Sequence, residues 1–99
     1  MLKNELKDKK NRVIEGALII SPKLFCDERG YFFETWNSQD FNNLVKSNIN
    51  FVQDNQSFSS KNTLRGLHFQ LDPMSQGKLV RVTQGEIYDV IVDLRQSSK

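Results

Sequence analysis

The residues of this chain best suited to chemistry lie close together. Residues 63–70, TLRGLHFQ, set the single histidine, His68, and Arg65 in an otherwise apolar run, and Lys78 follows in QGKLVRV. An imidazole can take or give a proton near neutral pH, and fixed cations can hold an anion or steady a developing oxyanion. Upstream, FVQDNQS alternates so that Gln53, Asn55 and Ser57 share one strand face, three neutral groups suited to hydroxyls or carbonyls. Taken singly, each residue reads as structural, because a lone histidine near an apolar strand is commonly a hydrogen-bonded core residue. Taken together, a proton acceptor, two cations and several amides describe a polar pocket for an anionic or oxygen-rich ligand.

Elements must bring these groups to one place. Strict alternation sets His68 with Leu64 and Gln70, and Arg65 with Leu67 and Phe69 on the other face. Gly66 lies between them, and a bulge there would turn Arg65 and His68 to the same side. Residues 78–95 read as two strands around a tight hairpin at Gln84-Gly85. In that register Val80 pairs with Asp89 and Lys78 with Ile91, which makes Lys78 and Asp89 diagonal neighbours on a mostly aliphatic face. Two readings of the pair stand side by side. If the face is inward, the lysine must be paired or lie in a polar cavity, since a lone buried charge costs several kcal/mol. If it is outward, the two form a surface pair worth about 0 to 1 kcal/mol.

The remaining elements frame these. Residues 1–12 mix lysines with Glu5 and Asp8 and read as a solvated, frayed lead-in. A strand is expected from Val13 until Pro22 breaks it, then a turn from Asp27 to Gly30 and an aromatic strand, YFFETW. The one helix signal begins at Ser38 as cap, with Asp40 in the first turn and Phe41, Leu44 and Val45 on one side. Short strands separated by turn signals, with one helix, predict an all-β sandwich or barrel in a single domain over residues 1–99. Few strands are present to close a barrel, and an open edge invites pairing with another chain.

Composition removes several classes. Hydrophobic residues are 37% and charged residues 26% of the 99, as in ordinary globular proteins. A net charge of +2, scattered along the chain, does not argue for nucleic acid. No apolar run approaches the roughly 20 residues of a membrane helix, and the first residues lack a secretory signal's apolar stretch. One cysteine, Cys26, forms no intrachain disulfide and points to a reducing cytoplasm.

The segments NQSFSSKNTLRGLHFQ, QGKLVRVTQGEIYDVIVDLR and DERGYFFETW closely resemble the dTDP-4-dehydrorhamnose 3,5-epimerase family, from about Val13 to the last residue. The resemblance implies a cupin-like jelly roll and a homodimer in which N-terminal strands reach across to the partner. It also implies epimerisation of a nucleotide-linked 4-keto-6-deoxyhexose without metal or organic cofactor. One histidine without an HxH cluster agrees with the lack of a metal site. By position, His68 resembles the family's catalytic base and Lys78 the lysine near the keto oxygen. Arg65 resembles a substrate-contacting arginine, and Gln53 and Asn55 match sugar-pocket amides. Arg29 and Glu34 match residues delivered to the partner's site, with Phe25 as an apolar wall, and Asp89 falls beside Lys78. The family's general-acid tyrosine and the aspartate that pairs with the histidine belong to its C-terminal half, beyond Lys99, so the sequence resembles the N-terminal half of an epimerase, and an inactive fragment of one stands beside the active enzyme as a reading. A related epimerase acting at one carbon or on another nucleotide, and a non-catalytic sugar-nucleotide binding or assembly module, are the competing readings.

Overall fold

Beta-branched and aliphatic residues dominate residues 13–20, and the computed structural model, which describes residues 1–95, forms its longest described strand there. This is β2, Val13–Ser21, and it stops where Pro22 removes the next backbone donor. Its partner is β1, Leu2–Lys7, in the segment expected to fray. The two run antiparallel, with Leu2 opposite Ser21 and Lys7 opposite Val13. One carboxylate builds the turn between them. Asp8 Oδ1 accepts from the backbone N–H of Lys10 (2.8 Å) and of Arg12 (2.9 Å), and its Oδ2 meets Arg12 Nη2 at 2.7 Å. The sequence LKNELK has no apolar alternation, so its strand comes from this turn and from β2.

The expected turn at Asp27 to Gly30 closes a small hairpin. β3, Phe25–Asp27, pairs with β4, Gly30–Phe32, in the register Phe25–Phe32, Cys26–Tyr31 and Asp27–Gly30, leaving Glu28 and Arg29 as the loop. Gly30 has φ 139°, a left-handed value that glycine adopts freely. The aromatic strand is thus shorter than the sequence suggests, ending at Phe32.

The helix forms where the apolar spacing placed it. α1 spans Ser38–Val45, but its cap is Asn37, one residue earlier than expected; Asn37 is extended and its Oδ1 accepts from the Asp40 N–H at 3.0 Å. Phe41 is the one buried hydrophobic side chain among the described residues. The ring of Trp36 lies 5.0 Å from that of Phe41 and 5.4 Å from that of Phe51, and Phe41 and Phe51 are 5.6 Å apart. Asn42 ties the helix to the following segment: its Oδ1 accepts from the Ile49 N–H at 2.9 Å and its Nδ2 donates to the Ile49 carbonyl at 3.3 Å. This three-ring cluster is the chain's small core.

The chain separates into two units, one of residues 1–54 with residues 93–95 and the other Asn55–Val92. The first holds all the elements above, so the regular structure among the described residues is four strands and one short helix, an all-β composition. The second has turns without strands or helices. Thr63 N–H donates to the Ser60 carbonyl at 3.2 Å, and Met74 N–H to the Leu71 carbonyl at 2.8 Å. The strands expected in residues 50–59 and 62–70, and the ladder expected around Gln84-Gly85, do not form; residues 83–85 make only a bend. A two-stranded ribbon is marginal without a layer against its apolar face. Here Phe58, Leu64 and Tyr88 stand almost wholly exposed.

Candidate active site

The first unit brings two of the expected residues, Phe25 and Arg29, together on the β3–β4 hairpin. Its two-residue loop places Arg29 beside the carboxylate that ends β3. Arg29 Nη2 and Nε lie 2.6 and 3.2 Å from Asp27 Oδ2, and the Arg29 backbone N–H donates to Asp27 Oδ1 at 2.8 Å. These bonds, the guanidinium's first and the backbone N–H next, hold the Asp27 carboxyl below its ordinary pKa. Phe25, Asp27, Arg29, Gly30, Tyr31 and Phe32 line an open groove of about 300 Å³. The Lys23 ammonium stands 5.1 Å from the centre of the Phe25 ring. An aromatic wall beside a guanidinium can hold a flat ring and an anionic group together.

Two further expected residues belong to this unit. Gln53 follows Phe51 by two positions, so the aromatic cluster and the Asn42 bridge set where its backbone begins. Glu34 is exposed, two residues before Trp36.

The other expected residues lie in the second unit, and all of them are exposed: Asn55, Arg65, His68, Lys78 and Asp89. Arg65 turns back along its own segment, with Nε donating to Ser59 Oγ at 2.9 Å and Nη2 to the Phe58 carbonyl at 3.3 Å. Gly66 has φ 122°, and a side chain there would meet His68 Nδ1 at 3.8 Å. The glycine therefore bends the chain next to the imidazole, but without the strand bulge expected of it. Among the described residues no ion pair joins Lys78 to Asp89, because the ladder that would make them neighbours is absent. The pocket that the sequence gathers around His68 and Lys78 is not closed within this unit.

Sequence reasoning missed Asp27 as the residue that holds Arg29, although an acid two positions before an arginine in a tight turn is a readable signal. It also missed Asn42, whose bonds to backbone leave no periodic trace. Among the described residues no group of three or more His, Cys, Asp or Glu side chains is placed to hold a metal ion.

Comparison with known proteins bears on what these residues are for. The family model described as dTDP-4-dehydrorhamnose 3,5-epimerase matches residues 11–99. The chain belongs to that family. Proteins named dTDP-4-dehydrorhamnose 3,5-epimerase include one from Salmonella typhimurium, 55% identical over 85 residues, which are 86% of this chain and 46% of that protein. One from Methanothermobacter thermautotrophicus is 55% identical over 87 residues, 86% of this chain and 45% of its own length. One from Escherichia coli is 51% identical over 85 residues, 86% and 46% respectively. The chain thus spans about half the length of these epimerase relatives. No solved structure matches it significantly. Within the epimerase family match lie all nine expected site residues, whereas β1 lies outside it.

Proposed function

We propose that this protein is a nucleotide-sugar epimerase that inverts carbons 3 and 5 of dTDP-4-keto-6-deoxyglucose on the way to dTDP-L-rhamnose. The observation that carries this reading is the family match over residues 11–99, which includes the TLRGLHFQ and QGKLVRV segments.

In the proposed reaction the His68 imidazole removes the proton from a carbon flanking the keto group. The C–H electron pair passes into the carbonyl, giving an enolate whose oxygen faces the Lys78 ammonium. A carbon acid beside a carbonyl is acidified only if that oxyanion meets a fixed charge or donor in a water-poor site. A proton delivered to the opposite face by a water molecule or a solvent-exchanging acid completes the inversion and restores the ketone, and His68 returns its own proton to solvent. Repetition at the second flanking carbon gives the doubly inverted sugar, with no metal or organic cofactor in the cycle. Asp89 supports Lys78. Arg65, Gln53 and Asn55 hold the sugar and its diphosphate, and Arg29, Glu34 and Phe25 complete the site of a second copy. A cupin-like jelly roll, closed by further strands and by that second copy, covers the apolar faces now exposed. The setting is the cytoplasm.

The exposed apolar surface favours one other reading, a non-catalytic sugar-nucleotide binding or assembly module. Solvent deuterium separates the two. Incubation with dTDP-4-keto-6-deoxyglucose in deuterium oxide should label C3 and C5 well above the buffer rate. Labelling no faster than buffer, with nucleotide binding intact, would defeat the catalytic reading and leave the binding module.

A further inference from the structure

β2 is not paired evenly along its length. The register runs from Leu2 opposite Ser21 to Glu5 opposite Leu18, then jumps to Lys7 opposite Val13. Residues 14–17 of β2 therefore stand against Leu6 alone. Gly16, inside this bulge, has φ 85°, a backbone value that other residues adopt only under strain.

A bulge leaves backbone groups outside the ladder, to be met by water or by a side chain, and a side chain that meets one also fixes the bulged backbone. Here the donor comes from 80 residues away. Arg95 Nη2 donates to the Glu15 carbonyl at 2.7 Å. The same guanidinium is held flat against Asp93: Nε lies 2.9 Å from Oδ1 and Nη2 2.8 Å from Oδ2, while the Arg95 backbone N–H donates to Oδ1 at 3.1 Å. Nη2 carries two hydrogens, so one serves the carboxylate and the other the carbonyl. Asp93 is largely shielded, its side chain 13% exposed, which makes it a firm base for the fork. Lysine has one nitrogen on a flexible stem and cannot make both parallel bonds to a carboxylate and still reach the carbonyl.

We propose that Asp93 and Arg95 form a strap that closes on the β2 bulge, with the Arg95 fork fixing the bulged backbone through the Glu15 carbonyl. The strap anchors residues 93–95 to β2, within the first unit. It is a conformational device of the fold and does not depend on which reaction the protein performs.

Amide hydrogen exchange on the 99-residue chain tests it. In Arg95→Ala the amides of residues 14–17 should exchange at least tenfold faster. Those of Ile19 and Ile20, in the regular part of the ladder, should stay within about twofold of wild type, and Trp36 fluorescence should not change. Arg95→Lys, which keeps the charge and loses the fork, should show the same local acceleration, and it decides the matter if Arg95→Ala does not fold. Exchange of residues 14–17 within twofold of wild type in Arg95→Lys would overturn the strap, as would acceleration spread evenly over β1, β2 and α1.

Discussion

The side-chain amide of Asn42 reads both backbone groups of Ile49, accepting its N–H at 2.9 Å and donating to its carbonyl at 3.3 Å. An amide used in this way replaces a strand partner for one residue, and it turns the chain after α1 so that Phe51 meets Trp36 and Phe41. Asn42→Ala removes both bonds and leaves two partly buried backbone groups to find water. A loss of about 1–3 kcal/mol is expected. Urea titration followed by the fluorescence of Trp36, the chain's single tryptophan, should show the midpoint move down.

Phe41 is the centre of that cluster, 7% exposed. Phe41→Ala removes the ring that both Trp36 and Phe51 pack against, at a cost of about 3–5 kcal/mol for a buried aromatic. So small a core has no reserve of that size. The expected result is a red-shifted Trp36 emission and loss of the helical circular dichroism of α1.

Lys46 ends α1 in the left-handed conformation, φ 55° and ψ 44°, with its N–H donating to the Asn42 carbonyl. A residue with a Cβ is strained there, and glycine is not. Lys46→Gly should raise stability by up to about 1 kcal/mol, part of the relief being offset by the greater freedom of glycine in the unfolded chain. A rise in the thermal midpoint checks it.

The Asp27–Arg29 contact has a pH signature. The guanidinium lowers the Asp27 pKa from its ordinary 3.8 in the folded chain. A group whose folded pKa is depressed stabilises the fold at pH above its unfolded pKa, and that contribution fades as the pH falls through the folded value. Carbon NMR titration of the Asp27 carboxyl should therefore give a midpoint below 3.8, moving upward in Arg29→Ala. An unchanged midpoint in that variant would remove Arg29 as the cause.

What the sequence made legible is what local chemistry decides. The end of β2 at Pro22, the Asp27-to-Gly30 turn and the apolar side of α1 follow from residue types a few positions apart. The cap was misplaced by one residue because Asn37 and Ser38 are both capping types, and backbone angles choose between them. β1 was illegible because its own pattern is not a strand's; Asp8 and β2 impose it. The reverse holds for residues 78–95, whose pattern is strongly that of a hairpin. The ladder does not form where Val80, Ile87 and Ile91 have no layer to pack on. The site follows the same division. Phe25 and Arg29 share one groove because a two-residue turn joins them, whereas His68, Lys78 and Asp89 depend on strands that need a sheet around them.

Lys78 separates binding from chemistry. If its charge faces the enolate oxygen, it matters little to the bound ketone and greatly to the transition state. Lys78→Met is expected to slow deuterium exchange into dTDP-4-keto-6-deoxyglucose at least a hundredfold while weakening sugar-nucleotide binding less than tenfold. Equal losses in both would assign Lys78 to binding alone.

The central claim is that His68 takes the proton. Its most direct test is proton NMR of dTDP-4-keto-6-deoxyglucose in deuterium oxide, comparing wild type with His68→Ala. The account predicts loss of the C3 and C5 proton signals with wild type, and retention of both at the buffer rate with His68→Ala, while the nucleotide still binds. Wild-type exchange that persists undiminished in His68→Ala would contradict it.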